Sequence, residues 1–197
     1  PVHGVPRPPR REAEAEAAAA PPLVFLHGAM TNLEDLRAPL ESRLAGPRAL
    51  LFLDRPGLGW SGRRTDGAST PDRQARAVAG VLDGLAIRPA ILVAHSYGAA
   101  VALALALERP DRVAGLALLA PASHPWPGGV KRRYRLLATP LAGHLLAHTV
   151  VTPFADATLE SAVAGSFAPA APPRDYVRRT ALPLGYRPRD IRNNARD

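Results

Sequence analysis

The chain has 197 residues, 47% of them hydrophobic, which is enough for one domain with its own core. The net charge of +8 would suit a nucleic acid, but the basic residues are scattered arginines with Lys131 as the only lysine, and few aromatics interleave with them, so nucleic acid is set aside as a partner. The lack of cysteine excludes disulfides, thiolate catalysis and cysteine-ligated metals, and no apolar run reaches the roughly 18 to 20 residues of a membrane span.

Residues 1–22 are rich in Pro, Arg, Glu and Ala without apolar periodicity, and a weakly ordered arm is expected there. Nothing in that stretch resembles a signal peptide, so the cytoplasm is the default location, although the chain opens on Pro1 rather than Met. From Leu23 onward, residues 23–26, 49–53, 90–94 and 113–119 are short continuous apolar runs, the pattern of parallel strands buried on both faces. Residues 33–44 and 71–85 carry apolar side chains at helical spacing, and 99–107 predicts a mostly buried helix. Strand alternating with helix predicts an α/β fold, a parallel sheet with flanking helices, over residues 23–121.

After Ala120 the texture changes. Prolines recur, no comparable strand-like run follows, and Trp126, Tyr134, Phe154, Phe167, Tyr176 and Tyr186 gather there. Residues 122–197 are read as a helical lid or cap over an apolar substrate, with an ordinary helical subdomain whose aromatics form its core as the alternative.

The pentapeptide Ala94-His95-Ser96-Tyr97-Gly98 joins the third apolar run to the following helix. A serine on a sharp strand-to-helix turn occupies strained backbone, and the residues two before and two after it must be small. Ala94 and Gly98 meet that demand, so Ser96 is read as a nucleophile. Alternation along the strand turns His95 away from the face of Ser96, which makes it a packed or hydrogen-bonded neighbour.

Leu23-Val24-Phe25-Leu26-His27-Gly28-Ala29 resembles the strand and oxyanion loop of α/β-hydrolases. Asp54-Arg55-Pro56-Gly57-Leu58-Gly59-Trp60-Ser61 resembles their Asp-x-Pro-Gly-x-Gly-x-Ser loop, and residues 94–98 resemble their nucleophile elbow with alanine replacing the first glycine. The segments 108–113 and 118–121 also resemble the exit of the elbow helix and the next strand of that superfamily. The resemblance implies a partial α/β-hydrolase sheet and a serine hydrolase of the esterase or lipase-like kind, acting on a small apolar acyl substrate with no cofactor or metal. Serine at the elbow, where dehalogenases and epoxide hydrolases of the superfamily place aspartate, counts against those two activities.

Acyl transfer builds a tetrahedral oxyanion, and each preorganised N–H donor aimed at it is worth about 3 to 4 kcal/mol. Carried over by motif, the donors are the amides of Ala29 and Tyr97, with Met30 as the alternative to Ala29 if the loop is displaced by one residue. His27 is expected to brace its loop by hydrogen bonding rather than act as a base. Asp54 and Arg55 are expected to form a structural turn with an internal ion pair, and Ser61 to be a turn residue.

The family's triad runs Ser, then Asp or Glu, then His along the chain. Between Ser96 and the last histidine, His148, the only acids are Glu108 and Asp111, which fall at the amino end of the next strand, whereas the site lies at the carboxyl ends. Asp156, Glu160, Asp175, Asp190 and Asp197 have no histidine after them. His124, His144 and His148 are expected on the lid surface or in its packing; the last two, one helical turn apart, would suit a metal pair but lack a third ligand. The expectation is a fragment or truncated product of a longer hydrolase, whose further strands supply acid and base and cover the hydrophobic edge strand at 113–119. The alternative is a non-catalytic α/β-hydrolase-like protein that binds a small apolar ligand under the lid.

Overall fold

The apolar runs become the strands of one sheet. In the computed structural model, which describes residues 3–7, 20–44, 46, 48–62, 70–87, 89–124, 129 and 132–197, these are β2 (Leu23–Leu26), β3 (Leu50–Leu53), β4 (Ala90–His95) and β5 (Val113–Leu119). All three pairings among them, β2 with β3, β2 with β4 and β4 with β5, are parallel. A further strand, β1 (Gly4–Arg7), joins antiparallel to β3, giving the order β1-β3-β2-β4-β5. The expected weakly ordered arm therefore contains a four-residue strand. Its Pro and Arg obscure it in the sequence, because an edge strand is held by backbone hydrogen bonds and tolerates proline where no donor is required. Residues 8–19, the bulk of that arm, lie outside the described residues.

Alternation across the sheet sorts its side chains into two cores. On one face Val24, Leu26, Leu51, Leu53, Leu92 and Ala94 pack with Val78 and Leu82 of α2 (Pro71–Gly84) and with Val101 and Leu105 of α3 (Tyr97–Glu108). On the other face Phe25 and Phe52 stack with ring centroids 4.2 Å apart, against Leu33 and against Leu36 of α1 (Glu34–Leu40). Helix α1 stops at Leu40, short of the expected 44, one residue past Pro39. Proline removes a backbone donor and crowds the preceding turn, and residues 41–44 continue only as turns.

Strand β5 is the last of the sheet's described strands on its side, with Leu116 and Leu119 38% and 43% exposed. Beyond it the chain forms helices and turns, with no strand among the described residues of 122–197. These are α4 (Arg132–Ala138), α5 (Leu141–Leu146), a π-turn at Ala147–Val151, α6 (Ala155–Phe167), α7 (Tyr176–Arg179), a 3-10 turn at Leu182–Tyr186 and α8 (Pro188–Arg196). They build two small cores of their own, Leu137 with Ala147 and Ile191, and Leu159 with Val163 and Leu182. Phe167 and Tyr176 meet edge-on at 4.9 Å beside the second, while Phe154 is exposed and Trp126 lies outside the described residues.

The helical segment is bolted to loops at the carboxyl end of the sheet by polar side chains. Asn32 Nδ2 donates to the carbonyls of Thr180 and Ala181, both at 3.0 Å. Asn193 Nδ2 donates to the Gly57 carbonyl at 2.8 Å, and Tyr176 O–H to Asp35 Oδ1 at 2.7 Å. Arg187 and Arg189 both reach the Gly59 carbonyl while pairing with the buried Asp190.

Candidate active site

Strand β4 delivers Ser96 to a junction where the chain must reverse into α3 with no linker. Its backbone there is at φ 50°, ψ −117°, a region that a non-glycine residue occupies only when its surroundings enforce it. Three hydrogen bonds do so: the Ser96 N–H donates to Leu119 O at 3.0 Å, and its carbonyl accepts from Ala99 N at 3.0 Å and Ala122 N at 3.1 Å. The small flanking residues are explained by the same crowding. Ala94 is fully buried between Leu26 and Leu118 in the ladder, and a Cβ on Gly98 would stand 2.4 Å from Leu26 O and 2.6 Å from His27 O. Tyr97 is the first residue of α3, so its N–H lies in the first turn, at the positive end of the helix dipole.

The loop after β2 lies against this elbow. A Cβ on Gly28 would sit 2.9 Å from His95 Nδ1 and 3.2 Å from Ser96 Cβ, so glycine permits an approach that any side chain would block. His27 is fully buried, donating from Nδ1 to Gly28 O at 2.9 Å and accepting the Arg55 N–H on Nε2 at 3.0 Å. Both nitrogens are used by the neutral ring. Burial first, and then the charge of Arg55, hold its pKa well below the ordinary value, so His27 braces the loop. Ala29 is exposed at the tip, and Met30, at φ 58°, gives its N–H to Asn194 Oδ1 at 2.8 Å. The Met30 amide is thus engaged with a side chain of α8, which removes the support for it as the alternative donor to Ala29.

Arg55 lies at the centre of the arrangement with no exposed surface. Its Nε and Nη2 donate to His27 O and Gly28 O, both at 3.0 Å, and Nη1 reaches Gln74 Oε1 and Asp197 Oδ2, both at 2.9 Å. The guanidinium also stands 4.7 Å over the Tyr97 ring, whose hydroxyl donates to the Asp197 carbonyl at 2.7 Å. One cation therefore ties the His27-Gly28 loop to the residue after Ser96.

The expected internal pair of Asp54 with Arg55 gives way to this network. Successive residues at a strand end point to opposite sides. Asp54 instead accepts backbone N–H bonds from Leu33 at 2.7 Å and Trp60 at 2.8 Å, and burial pushes its carboxyl up to about 6 against those two donors. Ser61 closes the same turn, donating to Asp54 O at 2.8 Å and accepting the His3 N–H. Sequence reasoning missed Asp197 and Asn194 as partners of the site, since they lie 142 and 164 residues from Arg55 and Met30.

His95 stands 4.0 Å from Asp35 and packs beside Gly28. Glu108 pairs with Arg76, and Asp111 with Arg109 and Arg112. His124 lies beside the Ser123 hydroxyl at 3.0 Å, and the exposed rings of His144 and His148 are 4.1 Å apart. No group of three His, Cys, Asp or Glu placed to hold a metal ion occurs among the described residues. No helix among them is long and apolar enough to cross a membrane. A cavity of about 830 Å³ opens within the helical segment, lined by Arg174, Val177, Arg178, Leu184 and Arg187 rather than by Ser96.

A parallel sheet with a strained serine between strand and helix, faced by a glycine loop, is the arrangement of an α/β-hydrolase. The sequence profile of the Alpha/beta hydrolase family matches residues 23–195, and the chain belongs to that family. It is 35% identical over 115 residues to 2-hydroxymuconate semialdehyde hydrolase of Pseudomonas sp. (strain CF600), covering 57% of this chain and 40% of that protein. It is 38% identical over 106 residues to a haloalkane dehalogenase of Agrobacterium fabrum, covering 54% of this chain and 34% of that protein. The solved structure of a thermophilic esterase from Thermogutta terrifontis superposes with a TM-score of 0.72 at 18% identity, covering 98% of this chain and 65% of that one. These matches span less than two thirds of each relative's length.

Proposed function

We propose that this chain carries the nucleophile and oxyanion hole of a serine hydrolase that cleaves carboxylic esters or similar acyl substrates through a Ser96 acyl-enzyme. The observation that carries the proposal is the backbone of Ser96, held at φ 50°, ψ −117° by three hydrogen bonds at the strand-to-helix junction. Strain of this kind persists where it aims a reacting group. Serine in this position also separates the chain from an aspartate-based dehalogenase mechanism, despite the similarity to one named dehalogenase.

In the proposed reaction Ser96 Oγ adds to the acyl carbon, its proton passes to a base, and the carbonyl oxygen becomes an oxyanion that accepts from the amides of Ala29 and Tyr97. Collapse expels the alcohol, which takes up a proton, and water then hydrolyses the acyl-serine. In this reading His27 is not the base, because Nδ1 is engaged by Gly28 O and Nε2 by the Arg55 N–H. The matched relatives are longer than this chain, and acid and base are proposed to come from residues outside these 197. A small apolar acyl compound is the proposed substrate class.

The test is labelling of the full-length gene product with a fluorophosphonate probe, alongside hydrolysis of p-nitrophenyl butyrate. Labelling and turnover that both vanish in Ser96→Ala are expected. An unlabelled, inactive protein that still binds apolar ligands would overturn the proposal in favour of the non-catalytic reading.

A further inference from the structure

The end of α8 reaches both sides of the elbow. Asn194 Oδ1 accepts the Met30 N–H at 2.8 Å, one residue past Ala29 on the glycine loop. Three residues on, Asp197 accepts from Arg55 Nη1 at 2.9 Å and, through its carbonyl, from the Tyr97 hydroxyl at 2.7 Å. Two further observations show that the Met30 peptide is actively held. Met30 sits at φ 58°, where a side-chain-bearing residue costs about 1 kcal/mol or more without outside support. The backbone of the 3-10 turn presses on its carbonyl as well, since a Cβ on Gly185 would fall 2.4 Å from Met30 O.

We propose that the cap positions the oxyanion hole, with Asn194 as the positioning residue that fixes the orientation of the Ala29 and Met30 peptides; this rests on the acyl-hydrolase reading above. Asn194 touches no reacting atom. By accepting the Met30 amide it holds the left-handed turn just after Ala29, whose amide the acyl-hydrolase reading assigns to the oxyanion, on the loop whose Gly28 lies against Ser96. With the acceptor gone, the loop relaxes toward ordinary backbone angles and the Ala29 amide leaves its aim. Docking of α8 thus takes part in assembling the site.

The experiment compares Asn194→Ala, Asn194→Asp and Asn193→Ala in the full-length protein. Asn193 also docks α8, but through the Gly57 carbonyl at 2.8 Å, on the loop after β3. Loss of one oxyanion donor costs about 100- to 1,000-fold in kcat, so a misaimed donor in Asn194→Ala is expected to lower kcat about 10-fold or more with KM within about twofold. Asn193→Ala is expected to keep kcat within about twofold of wild type, isolating aim from docking. Hydrogen exchange at the Met30 amide is read in parallel: at least about 10-fold faster in Asn194→Ala, and close to wild type in Asn194→Asp, which keeps the acceptor. Equal kcat losses in Asn194→Ala and Asn193→Ala, or a rise in KM alone, overturn the proposal. So does unchanged Met30 exchange, a readout that remains decisive even if Ser96-dependent labelling fails and the acyl-hydrolase reading falls.

Discussion

The elbow's packing makes Gly98→Ala a sharp test of why a helix can begin beside its serine. The added Cβ would lie 2.4 Å from Leu26 O and 2.6 Å from His27 O, about 1 Å inside ordinary contact, and both atoms are backbone. No rotamer relieves such a clash, so α3 and β2 must part. Overpacking a tight interior costs about 1 to 3 kcal/mol, and this overlap belongs at the upper end. Alanine returns about 1 kcal/mol in helix propensity, which leaves a net loss of about 2 kcal/mol. Gly80→Ala in α2 is the matched control, because its Cβ meets nothing within 4 Å and it should gain up to about 1 kcal/mol. Urea unfolding followed by circular dichroism measures both, with an expected gap of about 3 kcal/mol between chemically identical changes. Two variants within about 0.5 kcal/mol of each other would refute the packing argument.

Arg55→Met should lose about 3 to 5 kcal/mol in the same assay, since it strands the nearly buried Asp197 carboxylate and two loop carbonyls; a midpoint within error of wild type would show that the network is decorative. His27 has a folded pKa well below its unfolded value of 6.5, so the unfolded chain alone takes up a proton as pH falls below 6.5 and stability drops there. Wild type should lose stability between pH 6.5 and 5 more steeply than His27→Gln, by at most about 1.4 kcal/mol per pH unit, and parallel curves would contradict the buried neutral ring. Tyr176→Phe removes the 2.7 Å bond to Asp35 and should cost about 1.5 to 3 kcal/mol, seen as a lower urea midpoint; no change would mean that this link between α7 and α1 is not holding the helical segment to the sheet domain.

The central strand β2 was legible because a strand buried on both faces must be continuously apolar, and 23–26 coincides with it; 113–119 coincides with β5 as well, but that strand is the edge of the described sheet and its apolar side chains are only partly covered. The crowded turn at Ser96 was legible too, since Ala94 and Gly98 record in sequence the small space that the fold leaves there. The tertiary partners of the site were not. Arg55 next to Asp54 looks like a local ion pair, yet the geometry of an extended chain separates adjacent side chains, and the carboxylate that meets Arg55 comes from Asp197. Asn194 offered no signal, because an amide on a polar helix face looks the same whether it meets water or the Met30 N–H. Strand β1 escaped notice for a related reason: its ladder with β3 uses backbone groups that every sequence possesses.

If Ser96 reacts as proposed, it also sets stability and chemistry against each other at a single peptide. At φ 50°, ψ −117° the backbone would accept glycine more readily than serine, so Ser96→Gly relieves strain and Ser96→Ala retains it. Selection for thermal resistance alone would therefore drift toward discarding the hydroxyl. Under the proposed mechanism, serine in this position marks the point where the fold gives up stability for the group it presents.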